Sequence, residues 1–214
     1  MTGLTLRRVA IRVGTRRLFA PLSFMVEPGT VTSIIGRSGA GKSSLLAFLC
    51  GLLKPPLSGD GEILLAGRRI DGLPPQSRKI GLMFQDALLF PHLSVSGNLG
   101  FGLRPGLSRD DRRDAIHRAL ASLSLAGYEE RDPSTLSGGE RTRVALLRMM
   151  LAEPHCVLLD EPFASLDPET RAVTRTMVFE ELRRRRLPAL MVTHDRQDVD
   201  FAGGPVVALG APGE

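Results

Sequence analysis

Apolar and polar positions alternate with different periods along the chain, and each change of period predicts an element. Leu4 to Val13 and Thr30 to Ile35 read as strands. A glycine-rich turn follows the second, and then an apolar helix from Ser43 to Leu52. Glu62 to Ala66 and Ile80 to Phe84 are further short strands. The pattern then becomes helical. Ser108-Arg-Asp-Asp supplies an N-cap with acids in the first turn, and Ile116, Leu120 and Leu123 recur at helical spacing. A second helix is expected from about Gly139 to Ala152. Cys156 to Leu159 is a continuous apolar run ending in Asp160, which predicts a central parallel strand buried on both faces. Asp167-Pro168 opens another helix with Pro168 at its first position. Ala189 to Val192 and Val206 to Leu209 are late strands. Strands alternating with helices predict an α/β sheet, with residues 86 to 155 as a helical insertion.

Composition narrows this picture. At 214 residues and 43% hydrophobic the chain is expected to form one domain with a real core. The longest apolar stretch, near Leu45 to Leu53, falls short of the roughly 18 residues that span a bilayer. Residues 1 to 8 show no apolar run after their charges, so no secretory signal is read. Cys50 and Cys156 sit in apolar runs and read as reduced core thiols, which points to the cytoplasm. The net charge of +5 raises the question of nucleic acid. Arg183 to Arg186, however, close a helix, where cations suit the dipole, and read as a solvated face; attraction to anionic lipid is the alternative.

Three motifs carry chemistry. Gly36-Arg37-Ser38-Gly39-Ala40-Gly41-Lys42-Ser43 matches the phosphate-loop pattern and lies between a strand and a helix. Its glycines let backbone N–H groups face phosphate oxygens, Lys42 can reach the β- and γ-phosphates, and the Ser43 hydroxyl can bind Mg2+. Ser44 completes this candidate nucleotide-binding set. Asp160, at the end of an apolar strand, fits a second Mg2+ contact, and Glu161 beside it is free to polarise an attacking water. Leu136-Ser137-Gly138-Gly139-Glu140 precedes a helix and forms a second anion site through Ser137, Gly138 and Gly139.

With these residues in this order, the sequence resembles the ATP-binding subunits of ABC transporters along almost its whole length. The resemblance takes in Gln85 after the strand ending at Phe84, the loop Ala164-Ser165-Leu166-Asp167, and the histidine of Val192-Thr193-His194-Asp195. It implies a RecA-like P-loop NTPase core, residues 1–85 and 156–214, with a small N-terminal antiparallel β-subdomain. Residues 86–155 would be an inserted α-helical signature subdomain. It assigns Glu161, His194 and Gln85 to catalysis, Ser43, Gln85 and Asp160 to Mg2+, and Asp167 to a contact across a dimer interface. Two copies would pair head to tail, with ATP between Lys42 of one and Ser137 of the other. Nucleic acid is not among the implied partners.

The stretch from Gln85 to Leu99 is similar to that of importer cassettes, where it lines a groove for a permease helix; Leu88, Leu89 and Phe90 are either that wall or core. The resemblance therefore implies separate transmembrane permease subunits, an extracytoplasmic solute-binding protein, and a place on the inner face of the cell membrane. An export or lipid-extraction ATPase is the alternative. Two departures stand out. Val13 occupies the position where the family has an aromatic ring against adenine, leaving Arg12 or Arg16 to stack and implying weaker base discrimination. Glu140 replaces the commoner Gln and is expected to be tolerated. The chain also stops soon after Val206 to Leu209, so the regulatory domain of sugar-type cassettes is not expected.

Overall fold

The computed structural model describes residues 3–210, which fall into two compact units. The first comprises residues 3–82, 155–161 and 181–210; the second comprises residues 83–154 and 162–180.

The first unit holds two five-stranded sheets. One is antiparallel and contains β1 (Leu4–Val13), β2 (Arg16–Arg17), β3 (Leu22–Val26), β5 (Leu57–Leu65) and β6 (Arg68–Arg69). β1 is its organiser, pairing with β2, β3 and β5. Strict alternation along β1 would turn Arg8 inward after Leu4 and Leu6. Instead the register shifts between Arg7 and Ala10, so Val9 and Ile11 face the core while Arg7 and Arg8 both stay exposed. Arg8 takes a left-handed φ of 52°, opposite Gly61 at φ 111°. A Cβ on Gly61 would lie 2.6 Å from the Val9 Cα, so only glycine fits.

The other sheet runs in the order β10 (Val206–Ala208), β4 (Val31–Ile35), β9 (Ala189–Val192), β8 (Cys156–Asp160), β7 (Ile80–Met83). β10, β4, β9 and β8 are mutually parallel. β8 is interior, as its apolar run predicts, although the middle place belongs to β9. Helix α1 (Lys42–Cys50) buries Leu45, Leu46, Leu49 and Cys50 in a core shared with Ile34, Leu158 and Leu190. It ends two residues before the predicted Leu52 because Gly51 enters the left-handed region at φ 76°, and its N–H bonds back to Phe48 O. Cys50 and Cys156 are buried free thiols; burial pushes Cys50 up to about 12 and raises Cys156 further.

The arginine run is exposed at Arg183, Arg184 and Arg186 and half-buried at Arg185. Helix α5 (Pro168–Arg184) stops within it. Arg184 and Arg185 clasp Glu181 at 2.8 and 2.6 Å, and Arg183 donates to the carbonyls of Phe201 and Ala202 at 3.3 and 3.0 Å. Burial pushes the Glu181 carboxyl up, but the two guanidinium partners outweigh it and leave it lowered. Arg183, Arg184 and Arg185 thus hold partners within the chain while staying exposed or half-buried, as a solvated face would. Helix α6 (Arg196–Ala202) lies between β9 and β10 in the chain.

The second unit is built on α2 (Val95–Gly100), α3 (Arg109–Ser122), α4 (Gly138–Leu151) and the first turns of α5. Ser108 caps α3 as its sequence predicts, accepting from Asp111 N. Phe163 and Phe179 meet edge to face with centroids 5.7 Å apart. Asn98 is wholly buried, and its side chain bonds Phe90, Leu93 and Ser94 main-chain groups, fixing the segment that enters α2. Among the described residues, no helix is long and apolar enough to cross a membrane.

Candidate functional site

Strand order explains the site. β4, β9 and β8 are neighbours and parallel, so the loops leaving their C-terminal ends emerge side by side. At those ends lie residues 36–44, including the first turn of α1, residues 193–195, and Asp160 with Glu161.

The phosphate loop leaves β4 and turns through Gly39 and Gly41, at φ 76° and 94°. A Cβ on Gly41 would stand 3.0 Å from Leu18 Cδ1 and 3.2 Å from Phe19 Cδ1, so the left-handed turn and its packing both demand glycine. Helix α1 begins at Lys42 with no side-chain cap and no acidic residue in its first turn, which leaves its N-terminal N–H groups available to an anion. Lys42 is buried, and its Nζ donates to Gly36 O at 2.8 Å and Arg37 O at 3.0 Å. An ammonium has three protons, so one remains for an acceptor at the loop.

Ser43 Oγ donates to Asp160 Oδ1 at 3.1 Å, joining residues 117 positions apart. Burial raises the Asp160 carboxyl; the Ser43 hydroxyl draws it back, Glu161 pushes it up and Lys42 lowers it, with a net upward shift. Glu161 adopts a left-handed φ of 47°, a strained backbone for a non-glycine residue. Its N–H bonds Val192 O, and its Oε2 lies 3.0 Å from His194 Nδ1. The loop carrying His194 is itself pinned: Thr193 Oγ1 donates to Asp198, and Asp195 N donates to Thr193 Oγ1. Gly36 to Ser44, Asp160, Glu161 and His194 are therefore all in the first unit.

The other candidates, Gln85, Ser137, Gly138, Gly139 and Asp167, lie in the second unit. Ser137 caps α4, and Glu140 closes a capping box by accepting from Ser137 N at 2.7 Å. Tyr128 donates to the same carboxylate at 2.6 Å, and Arg131 stacks on the Tyr128 ring at 3.7 Å. These two bonds, Tyr128 foremost, hold the Glu140 carboxyl below the usual range. Sequence reasoning left Glu140 without a function and did not single out Tyr128. The spacing Ser-x-x-Glu at residues 137–140 was the signal for the box; nothing in the sequence pointed to Tyr128. Gly139 abuts α5, since a Cβ there would meet Thr170 Cγ2 at 2.3 Å. Asp167 Oδ1 accepts from Thr170 N at 3.0 Å, the cap expected before Pro168.

Leu88 is 57% exposed and Leu89 and Phe90 are partly exposed, so none belongs to the core. Arg148 braces this segment by donating to the carbonyls of Ala87 and Leu88. A cavity of about 390 Å³ is lined here by Leu88, Leu89, Pro91 and Arg141. In the first unit Val13 is 42% exposed and pairs across the hairpin with Arg16, so the two share a face. Arg12 lies on the opposite face, held by Asp60 at 2.6 Å. Of the two arginines considered for base stacking, only Arg16 is beside Val13.

The ABC transporter family model matches residues 19–164. The uncharacterized ABC transporter ATP-binding protein YnjD of Escherichia coli is 45% identical over 196 residues, covering 92% of this chain and 90% of that one. The thiamine import ATP-binding protein ThiQ of a Jannaschia species is 41% identical over 200 residues, 92% of this chain and 84% of its own. An Fe(3+) ions import ATP-binding protein of Rhodococcus jostii is 40% identical over 212 residues, and this chain spans 60% of its length. The chain belongs to the ABC transporter ATP-binding proteins, and it is an ATP-binding, ATP-hydrolysing subunit of a transporter.

Proposed function

We propose that this chain is a single ATPase cassette, residues 1–214, that powers solute import. Two copies sandwich ATP between the phosphate loop of one, Gly36 to Ser44, and Ser137, Gly138 and Gly139 of the other, with Asp167 facing across the interface. The observation that carries this reading is the convergence of Lys42, the Ser43–Asp160 pair and the Glu161–His194 pair at adjacent strand ends.

A divalent cation fits the donors present. A hydroxyl and a carboxylate lie 3.1 Å apart, and the carboxyl is raised by burial and by a neighbouring anion, so a cation there would relieve it. Among the described residues no group of three or more acidic, His or Cys side chains could cage a metal. Mg2+ suits such a site, because it keeps waters and phosphate oxygens as most of its ligands. Ser43 and Asp160 would hold it, and when bound it would neutralise charge developing on the phosphates. Lys42 binds and orients the terminal phosphates. Glu161 accepts the proton of the attacking water, and His194, oriented through Nδ1 by Glu161, presents Nε2 toward the γ-phosphate. Closure on ATP and reopening after hydrolysis would pull on the membrane partners.

Relatives named for thiamine and Fe(3+) import favour import over export. The cavity beside Leu88 and Leu89 supports docking of a separate permease there, with a solute-binding protein outside and this chain on the inner membrane face. Purification of the chain from its host membranes, followed by identification of what accompanies it, tests this. A permease encoded beside a solute-binding protein is expected; a permease without one points to export, and ATP consumption only in the presence of a second phosphoryl acceptor contradicts transport. Val13 offers the base no ring, so comparable turnover of ATP and GTP is expected in a phosphate-release assay. A strong preference for ATP would sink that part of the reading.

A further inference from the structure

On the antiparallel sheet, at residues that belong to none of the nucleotide motifs, four guanidiniums converge. The register shift in β1 keeps Arg7 and Arg8 both exposed instead of burying one. Arg12 and Arg17 are direct cross-strand partners in the β1–β2 hairpin, so they share a face. These four line a cavity of about 510 Å³ with Asp60 and Glu62, and Pro21 is the one apolar side chain in its wall.

The charges do not balance. Asp60 pairs with Arg12 at 2.6 Å. Glu62 is divided between Arg7 at 3.6 Å and Arg69 at 3.2 Å. Among the described residues, the side chains of Arg8 and Arg17 have no acidic partner. Like charges directly opposite on adjacent strands destabilise a hairpin, and Arg8 holds a left-handed backbone as well. A structural role alone gives no reason to gather an excess of two positive charges into one concavity. An anion bound there gives one.

We propose that this cavity is a binding site for a phosphate-bearing anion, with Arg8 and Arg17 as its principal donors. Guanidiniums match phosphate oxygens in pairs, whereas an apolar ligand would find only Pro21. The volume lies within the roughly 300–1,000 Å³ of small-molecule sites. The same chemistry would take a soluble polyphosphate or the headgroup of an acidic phospholipid.

The test uses the full chain carrying Lys42→Ala, so that the phosphate loop does not compete. Pyrophosphate is titrated calorimetrically at low salt, and sedimentation is measured with vesicles of phosphatidic acid in phosphatidylcholine against phosphatidylcholine alone. Binding in at least one arm is expected. It should weaken at least about tenfold in Arg8→Gln/Arg17→Gln and less in Arg8→Lys/Arg17→Lys, because two charge-assisted donors are lost in the first and their charge is kept in the second. Dependence on Arg8 and Arg17 with pyrophosphate alone identifies a soluble ligand; dependence with acidic vesicles identifies a headgroup. No binding in either arm, or binding unchanged in the glutamine variant, overturns the proposal. So does a lower unfolding temperature of the ligand-free glutamine variant, which would make the two arginines structural.

Discussion

Glu161→Gln is expected to bind ATP, accumulate as a nucleotide-held dimer and lose turnover by about 10²–10⁴-fold, the range for removing a positioned general base. The amide keeps the size of the side chain and can still accept from His194 Nδ1, now 3.0 Å from the Glu161 carboxylate. The loop after β9 should therefore stay in place, held as it is by Thr193 and Asp198. What disappears is the carboxylate proposed to take the proton from water. Stopped-flow phosphate release measures the chemistry, and light scattering measures the mass, which should double from 23.2 kDa with Mg–ATP present. Near-normal hydrolysis would remove Glu161 from its role.

Lys42→Ala should act earlier, at binding. It deletes a buried ammonium that is already held over the loop by Gly36 O and Arg37 O. A hydrogen bond to a charged group contributes about 1.5–3 kcal/mol, so ATP affinity should fall roughly 10- to 150-fold. Fluorescent-nucleotide titration reads this directly. Lys42→Met, which restores the aliphatic volume, should weaken binding as much. Recovery of affinity in Lys42→Met would show that the side chain fills space instead of holding phosphate.

The elements best read from the sequence are those whose own residues pay for burial. Leu4–Val13, Cys156–Asp160 and Ala189–Val192 are strands with the boundaries their apolar runs predict. β5 begins at Leu57, five residues before the predicted Glu62, because Ser58 to Gly61 carry no apolar alternation and are strand only through pairing with β1. β2 and β6 are each two arginines, held by cross-strand bonds that local composition does not reveal. In the candidate site, the motif residues were legible because glycine-rich and acidic turns interrupt apolar strands. Their meetings were not. Glu161 reaches His194 because β8 and β9 are neighbours, and Ser43 reaches Asp160 because β4 and β8 run parallel in one sheet, an order the linear sequence does not contain. The Tyr128–Glu140 bond is likewise a tertiary contact between a loop and a helix terminus.

The central claim is that each ATP is hydrolysed by parts of two copies, and mixing two inactive variants tests it. Lys42→Ala disables the phosphate loop, and Ser137→Arg disables the second anion site. At an ATP concentration that saturates the parent but not Lys42→Ala, each variant alone should be close to inactive. In a head-to-tail pair of one with the other, one composite site loses both groups while the second keeps Lys42 and Ser137 intact. Mixing should therefore restore turnover to about a quarter of the parent level, given random pairing into two-fold dimers and independent sites. A mixture as inactive as its components would contradict the account, because it would place Lys42 and Ser137 on the same copy at each site.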